Sequence, residues 1–415
     1  MFRVPRGTRD FLPEQAERFR SLENLAADLA RRYGYGELRT PIFEYTELFE
    51  RGVGESTDIV EKEMYTFTDR GERSLTLRPE GTAPVVRAFV EHKLYTGPMP
   101  AKYYYFGPMF RYEKPQAGRF RQLWQFGVEL FGAPGPRADV EVIALGWHYF
   151  RELGVESRLV LNSIGCVQCR IGYKEALVSF LTGRDMCRDC CSRLERNPLR
   201  VLDCKNDGCR AALESAPVIT DYLCPPCREH FDQVKAGLAG LNIPFTVDPL
   251  LVRGLDYYNR TTFEYKTDAL GSQDALGGGG RYDGLVELLG GPGTPAVGLA
   301  LGIDRIEMLN PPALDTGGGR RGVWLVTMEP AAAEAIALAH ELRRKGVPVQ
   351  YDLLARGVKA QFKQADRHRC RWALVIGPDE LESGRAVLRD MESGDQQQLN
   401  LATVADELAA LEGVK

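Results

Sequence analysis

Paired cysteines are the first residues in this chain whose spacing could do chemistry. Nine of the ten cysteines lie between positions 166 and 227, and eight of these form four pairs. Three pairs have the CxxC spacing and one is the wider CKNDGC: Cys166/Cys169, Cys187/Cys190, Cys224/Cys227 and Cys204/Cys209. In a reducing cytosol, this spacing favours metal ligation over disulfides. Because a tetrahedral site takes two such pairs, the sequence predicts up to two zinc sites of four thiolates each.

A structural role is expected for these metal sites. Ligation by cysteine alone leaves no open position for water or substrate, and a short segment with little apolar content gains folding free energy from metal binding. Idle buried thiols and an iron–sulfur cluster are the alternatives, and the spacing does not say which pairs share an ion. The remaining cysteines are Cys191, directly after Cys190, and Cys370, which we expect to be a buried thiol.

Two arginines in different settings could bind a nucleotide. Arg111 ends a predicted strand before the polar loop RYEKPQAGRFRQ, where its planar guanidinium could hold a phosphate with two hydrogen bonds. Arg305 lies in GIDR, between an apolar strand and a predicted helix. For Arg111 alone, a surface ion pair is an equal alternative. Because the chain has no GxxxxGK[ST] motif, a P-loop mechanism is excluded.

Composition and hydropathy narrow the class of protein. The chain has 415 residues, 44% hydrophobic and 27% charged, which is ordinary globular usage. A formal net charge of −4 does not fit a generally basic nucleic-acid coat. There is no run of eighteen apolar residues, and the N-terminal MFRVPRGTRDFLPEQ has no apolar segment of a signal peptide. We expect a cytoplasmic protein without a membrane span.

The elements that must position these residues follow from periodicity. Apolar residues at helical spacing predict a helix over 14–34, and a second helix is predicted over 139–153. AKYYYFGPMFRYEK and RFRQLWQFGVELFG read as two strands joined by a polar loop, and PFTVDPLLVRGLDYYNRTTFEYKT as another pair. PPALDTGGGRRG, residues 311–322, is typical of a linker. The β-α-β-α-β order after it predicts a small α/β domain.

Taken together, these motifs resemble the histidyl-tRNA synthetases, a family of class II aminoacyl-tRNA synthetases. FRYE and GIDR match the class-wide motifs, RGLDYYNRT and GGGGRYDGL point to histidine, and RGVKAQFKQADR resembles an anticodon-binding domain; RGTRDFLP and LRPEGTAPVVRA also match. The resemblance implies an α+β catalytic core with an antiparallel sheet, a cysteine-rich insertion and a C-terminal α/β anticodon-binding domain. The expected bounds are 1–164 with 244–310 for the core, 165–243 for the insertion and 323–415 for the last domain.

The resemblance also implies a histidine site. Its residues would be Glu80, Gly81, Thr82, Arg111, Gln125, Glu129, Arg253, Tyr257 and Tyr258. An imidazole both donates and accepts, so Glu129 could accept from one ring nitrogen while a tyrosine hydroxyl serves the other. By residue type alone, the tyrosines could equally be ordinary strand aromatics, and Glu129 a solvated charge.

For ATP, bound with Mg²⁺, the implied residues are Arg111, Glu113 and Arg305. Arg111 would hold the α-phosphate and Arg305 the γ-phosphate, while Arg253 would face the α-phosphate as an extra cation. Arg111 and Arg253 are thus the expected catalytic residues. Histidine's carboxylate would attack the α-phosphorus, and the terminal ribose hydroxyl of tRNA(His) would then take the histidyl group.

Contacts with tRNA are expected in the C-terminal domain, from Arg356, Lys359, Gln361 and Lys363, although the same residues could form a solvated helix face. Family resemblance further implies a homodimer that uses the N-terminal helix and the strand through Pro41. The main alternative function is that of a paralogue, the regulatory subunit of ATP phosphoribosyltransferase, which does not aminoacylate. Such paralogues usually lack the anticodon-binding domain and lose catalytic residues, both of which this chain retains. A third alternative is a zinc-dependent RNA-binding protein that has lost catalysis. Such a protein is expected to have lost some of the three arginines, and this chain has all of them.

Overall fold

The computed structural model describes residues 2–54, 57–314 and 319–413. The chain divides into two compact units, Met1–Leu314 and Asp315–Lys415. Residues 315–318 of the predicted linker lie outside the described residues, as do residues 1, 55–56 and 414–415. Within the described ranges, no helix has the length and apolar character that crossing a bilayer requires.

The first unit contains strands and helices in an irregular alternation. Its strands are β1 (Gly36–Glu37), β2 (Phe43–Tyr45), β3 (Tyr65–Thr68), β4 (Ser74–Leu77), β5 (Ala101–Phe110), β6 (Gln122–Phe131), β7 (Arg158–Ser163), β8 (Phe245–Val247), β9 (Asn259–Lys266), β10 (Ala275–Arg281) and β11 (Ala296–Gly302). Its helices are α1 (Pro13–Arg32), α2 (Thr46–Val53), α3 (Thr82–Glu91), α4 (Pro136–Leu153), α5 (Val167–Leu181), α6 (Arg188–Arg196), α7 (Asp207–Leu213), α8 (Pro225–Gly240), α9 (Leu285–Leu288) and α10 (Ile303–Met308).

An eight-stranded sheet forms the centre of this unit, in the order β1-β5-β6-β11-β10-β9-β7-β8. The six inner strands pair antiparallel, as predicted, and only the edge strands β1 and β8 run parallel to their neighbours. The predicted strand pair near 101–132 is the long β5–β6 ladder. The second predicted pair is not a hairpin, because β8 and β9 both pair with β7, on opposite sides of it.

Alternate residues of the sheet face two different cores. On one face, Tyr104 and Phe126 join a large core to which α1, α4 and α8 contribute, including Phe19 and Leu22 at helical spacing. On the other face, Tyr105 joins a smaller core with residues of α3 and α9. The second face is therefore only partly covered by helices, and it carries the cavity described below.

The cysteine-rich insertion adds helices α5 to α8. Its core contains Tyr173, Leu177 and Val201 together with two of the cysteines, Cys190 and Cys209. Few apolar residues are available here, so the sulfur atoms themselves form part of the buried interior.

The second unit is a five-stranded α/β layer. Its elements are β12 (Val323–Thr327), α11 (Ala332–Arg344), β13 (Val349–Tyr351), α12 (Val358–Arg367), β14 (Trp372–Ile376), α13 (Pro378–Ser383), β15 (Arg385–Asp390), β16 (Gln396–Asn400) and α14 (Val404–Leu411). The sheet order is β13-β12-β14-β15-β16, and the first three strands are parallel as predicted. The antiparallel pair β15–β16 extends the sheet beyond that prediction, and β16 (QQQLN) is too polar for an apolar pattern to mark it as a strand.

Candidate active site and cysteine clusters

A cavity of about 330 Å³ lies on the partly covered face of the eight-stranded sheet. Of the residues predicted for the histidine and ATP sites, nine line it: Glu80, Thr82, Arg111, Glu113, Gln125, Arg253, Tyr257, Tyr258 and Arg305. The three arginines come from the end of β5, the loop before β9 and helix α10, which are far apart in the chain. The fold thus brings three guanidinium groups to one cavity.

The arginines are held by different partners. Arg111 Nε donates to the carbonyl of Pro79 at 2.8 Å, and Arg305 Nη1 donates to the carbonyl of Ala275 at 2.6 Å. Burial, reinforced by the charge of the neighbouring Arg119, lowers the pKa of Arg305 from its ordinary value. These backbone contacts fix the two cations in place, and Arg111 also lies 3.9 Å from a carboxylate oxygen of Glu113.

Arg253 is held mainly by a side chain, because its guanidinium forms an ion pair with Glu264 of β9. Burial by itself lowers the pKa of Arg253, but the combined attraction of Glu264, Tyr258, Asp203 and Tyr257 outweighs this effect and the pKa is raised. Arg253 is therefore a permanent cation at this position. Glu264 also lines the cavity, and no motif in the sequence singled it out.

Glu80 and Thr82 define the start of α3. The carboxylate of Glu80 accepts hydrogen bonds from the backbone N–H groups of Thr82 at 2.7 Å and Ala83 at 2.8 Å, which would otherwise have no partner at the helix start. Burial raises the pKa of Glu80, and these hydrogen bonds oppose the shift. Gly81, which is predicted in the same set, does not line the cavity, and a Cβ there would collide with the ring of Tyr105.

Glu129 lies directly behind the cavity wall, with no exposed surface. Thr82 Oγ1 donates to Glu129 Oε1 at 2.8 Å, and the hydroxyl of Tyr282 donates to Oε2. Burial raises the pKa of Glu129 to about 8, and the two hydroxyl donors only partly offset this. The alternative of a solvated strand-end charge is wrong, because the side chain has no exposed surface. Gly298 separates the carboxylate from the cavity here, since a Cβ on this cavity-lining glycine would meet it.

Aromatic side chains form the adjoining wall. The ring centroids of Tyr257 and Tyr258 are 4.6 Å apart, and Tyr282 meets Tyr257 edge-on at 5.5 Å. Burial raises the pKa of Tyr258 to about 12, so its hydroxyl remains a donor at neutral pH. Sequence reasoning did not assign Tyr282, although it lies in the stretch GGGGRYDGL that carried the resemblance.

The first cysteine pair in the chain joins the last one, and the two middle pairs join each other, so that one cluster is nested inside the other in sequence. The spacing of the cysteines did not reveal this arrangement. The outer cluster consists of Cys166, Cys169, Cys224 and Cys227, and the inner cluster of Cys187, Cys190, Cys204 and Cys209. Within each cluster, all four sulfur atoms lie within 4.8 Å of one another. Cys191 is exposed and belongs to neither cluster, and Cys370 is buried as predicted.

The sulfur positions fit tetrahedral zinc. Four sulfurs at about 2.3 Å from an ion are about 3.8 Å apart. The distances Cys166–Cys169, Cys166–Cys224 and Cys187–Cys204 are 3.6, 3.9 and 3.8 Å. Backbone N–H groups also donate to sulfur at 3.2 Å in both clusters, as expected around thiolates.

In the second unit, the predicted RNA-contact residues lie on or beside helix α12. Arg356 and Gln361 line a cavity of about 370 Å³, together with the exposed Leu353. Lys359 and Lys363 are exposed one helical turn apart. Gln361 is only 1% exposed, and its amide bonds the backbone of Thr327 and Arg356, so it shapes the cavity rather than projecting from the helix.

Comparison with known proteins agrees with this architecture. A family model described as histidyl-tRNA synthetase matches residues 7–306, and one described as anticodon binding domain matches residues 323–411. Curated histidine–tRNA ligases of Desulforudis audaxviator and Geobacillus thermodenitrificans are 51% and 52% identical, each match covering 97% of both chains.

Solved structures give the same result. The crystal structure of apo histidyl-tRNA synthetase from S. aureus has a TM-score of 0.83 and 41% identity, covering 99% of this chain and 100% of that one. A Bacillus halodurans protein titled ATP phosphoribosyltransferase regulatory subunit/histidyl-tRNA synthetase is 24% identical with a TM-score of 0.67, over 91% and 98% of the two chains, and so shares the fold alone. The resemblance and the fold class predicted from the sequence are confirmed, and this chain belongs to the histidyl-tRNA synthetase family.

Proposed function

We propose that this protein ligates L-histidine to tRNA(His) in two steps. The histidine carboxylate first attacks the α-phosphorus of ATP and displaces pyrophosphate, which gives histidyl-adenylate, and the terminal ribose hydroxyl of the tRNA then attacks the histidyl carbonyl and displaces AMP. The observation that carries the proposal is the convergence of Arg111, Arg253 and Arg305 on one cavity beside Gln125 and a wall of tyrosines. Attack of a carboxylate on a phosphorus needs positioning and neutralisation of charge, and no protein nucleophile.

In the first step, Arg111 binds the α-phosphate and the histidine carboxylate, and Arg305 binds the γ-phosphate. Arg253 faces the α-phosphate and, with Arg111, stabilises the charge that develops there. Mg²⁺ bound with ATP would neutralise further phosphate charge, and the cavity-lining carboxylate of Glu113 is the residue that could help to hold it. Proton transfer by a protein side chain is not required in this step.

Histidine lies against the tyrosine wall. Gln125 Oε1 is buried and has no hydrogen-bond partner among the described residues, which suits contact with a bound substrate. Glu80, Gly81 and Thr82 shape the ammonium end of the site. Glu129 and the hydroxyls of Tyr257 and Tyr258 select the imidazole, because an analogue without ring nitrogens would leave buried polar groups unpaired.

The regulatory paralogue is not favoured. Its likeness is limited to the fold, whereas curated histidine–tRNA ligases about half identical match almost the whole length, including the second unit. The three arginines that such a paralogue could lose are present and share one cavity.

We further propose that both cysteine clusters bind structural zinc and that residues 165–243 form the metal-binding insertion between core segments 1–164 and 244–310. Residues 311–322 would link this core to an anticodon-binding domain at 323–415. There, Arg356, Lys359 and Lys363 would form the RNA-contact region, whereas the buried Gln361, also predicted as a contact, would only shape the cavity beside them. Because charging of tRNA serves translation, the proposed activity belongs in the cytoplasm.

A homodimer is also proposed. Pro41, which the sequence predicts to lie in a strand, instead lies in the loop between β1 and β2. The small sheet β2-β4-β3 that follows exposes Phe43, Tyr45 and Phe67, and such an aromatic surface suits association with a second copy. Helix α1 buries Phe19 and its other apolar residues against its own core, so its contribution would come from its outer face.

The direct test measures ATP–pyrophosphate exchange with each standard amino acid, followed by aminoacylation of tRNA(His). We expect exchange that depends on histidine and transfer of the histidyl group to the tRNA. Exchange that depends on another amino acid, or none at all, would contradict the proposal. Elemental analysis of the same sample should give about two zinc ions per chain.

A further inference from the structure

The inner cluster encloses one of the parts of the insertion that touch the catalytic core. Cys190 lies in the first turn of helix α6, and the rest of this helix and the turn after it (Pro198–Asp203) lie between the ligands Cys190 and Cys204. From this segment, Arg193 and Arg200 both donate to Asp58 Oδ2 of the core, at 2.9 and 3.0 Å. The segment is therefore anchored at both ends by sulfur ligands and in its middle by a core carboxylate.

The same segment supports the loop that carries Arg253. The amide of Asn197 donates to Asp256 Oδ1 at 2.8 Å. Arg200 lies so close to Gly254 that a Cβ at this glycine would be 3.2 Å from Arg200 Nη1. The insertion thus makes one hydrogen bond to Asp256 and one close approach to Gly254, both shortly after Arg253 in the chain.

Apolar contacts join the loop to the insertion on its other side. Leu250 and Val252, just before Arg253, pack against the insertion core that contains Leu199 and Val201. Residues 251–258 are neither helix nor strand, so no ladder of backbone hydrogen bonds fixes them. The position of Arg253 consequently depends on side chains of the insertion as well as on its ion pair with Glu264.

A metal ion bound to the inner cluster can hold helix α6 and the turn after it against the loop that carries Arg253. Helix α6 has nine residues, and Cys190 is its buried side chain. A helix of this length is marginal by itself in water. Two of the cluster sulfurs, on Cys190 and Cys209, are members of the insertion core, so losing the ion would weaken the core and the anchored segment together.

We propose that the metal ion of the inner cluster positions the Arg253 loop, so that occupancy of this site sets the rate of adenylate formation. The inference rests on the proposed function and on the zinc assignment above. Cys187, Cys190, Cys204 and Cys209 act through the insertion and are positioning residues rather than catalytic ones.

Adjacent cysteines provide a matched test. Cys190→Ser removes an inner ligand, whereas Cys191→Ser changes the exposed neighbour that belongs to neither cluster. In the full-length protein, we expect Cys190→Ser to lose about one of two zinc ions. Peptides covering 250–258 should exchange amide hydrogen faster, and the kcat of pyrophosphate exchange should fall by about 10²-fold, with KM for histidine little changed. Cys191→Ser should match the unmodified protein in all three measurements.

A second variant separates positioning from loss of folding. Asn197→Ala keeps all the sulfur ligands and removes one contact with Asp256, so zinc content should be unchanged while residues 250–258 lose protection and kcat falls by about tenfold. The proposal is overturned if Cys190→Ser loses zinc yet keeps both the protection of this loop and its kcat. Failure of the unmodified protein to activate histidine would instead contradict the proposed function, whatever the loop does.

Discussion

Thr82 and Glu129, which are 47 residues apart in the chain, are joined by a hydrogen bond of 2.8 Å between buried atoms. Thr82 is the first residue of α3 and lines the cavity, while Glu129 lies in β6 directly behind its wall. Tyr282 donates to the second oxygen of the same carboxylate. The carboxylate is therefore oriented from two sides before any substrate binds.

Tyr282→Phe should weaken the activation of histidine. The substitution leaves the ring packing in place and removes one hydroxyl donor, so that a buried oxygen of the Glu129 carboxyl loses its partner, at a cost of about 1–3 kcal/mol. We expect kcat/KM for histidine in pyrophosphate exchange to fall by at least tenfold. Tyr149→Phe is a suitable control, since that buried hydroxyl bonds the carbonyl of Leu22 on the opposite side of the sheet. Equal effects of the two variants would count against a special role for Tyr282.

Stability should depend on pH through Glu129. Burial raises its folded-state pKa from 4.5 to about 8, so between these values the folded protein binds a proton that the unfolded chain has released. The contribution of Glu129 to the free energy of unfolding therefore declines as pH rises from about 4.5 to about 8. Denaturant unfolding of the ligand-free protein at pH 5.5 and pH 8 should show a larger decline than for Glu129→Gln. Identical pH slopes for the two proteins would mean that Glu129 ionises normally.

Gly298→Ala should disable the histidine site. A Cβ at this position would occupy the place of the Glu129 carboxylate, which must then move or the strand must shift, at a cost of about 1–3 kcal/mol. We expect loss of histidine-dependent exchange with a modest fall in melting temperature. Gly240→Ala, at the end of α8, has no atom within 4 Å of the added carbon and should leave both quantities unchanged. Retained activity in Gly298→Ala would show that the Glu129 carboxylate can be displaced harmlessly.

Arg253→Ala should slow adenylate formation by about 10²–10³-fold, because a cation placed for the transition state is lost and Glu264 keeps only Lys266, at 3.5 Å, as a cationic partner. Folding should be retained, as judged by circular dichroism and unchanged zinc content. The control is Arg158→Ala, which breaks an exposed ion pair with Asp268 and should keep full activity. Near-normal pyrophosphate exchange in Arg253→Ala would remove Arg253 from the catalytic set.

Replacing Lys359 and Lys363 together by alanine should affect only the RNA step. Both side chains are exposed on one face of α12, and loss of two phosphate contacts should raise KM for tRNA(His) and reduce the slope of its salt dependence by about 2. Pyrophosphate exchange should not change, because it needs no tRNA. Arg344→Ala, an exposed cation of α11, serves as the control. An unchanged KM for tRNA would place the contact elsewhere on the domain.

Much of the fold followed from local patterns. The apolar spacing of residues 14–34 and the two strands around the polar loop were sufficient to predict α1, β5 and β6, since these patterns depend on neighbours in sequence. Motif context also singled out Arg111 and Arg305, and the family resemblance singled out Arg253, and all three line one cavity. The four cysteine pairs that make up the two clusters were likewise visible from spacing.

Other features depended on contacts between distant segments. Spacing could not show that the first cysteine pair joins the last one, because the helices between them decide which sulfurs meet. The pairing of Arg253 with Glu264 and the role of Tyr282 depend on the registers of β9 and β10, and the raised pKa of Glu129 depends on burial that one strand alone does not produce. The sequence determined which chemical groups this protein has. Only the tertiary structure decided which of them share a cavity and how far each is removed from water, because those properties arise from packing between segments that are not adjacent in the chain.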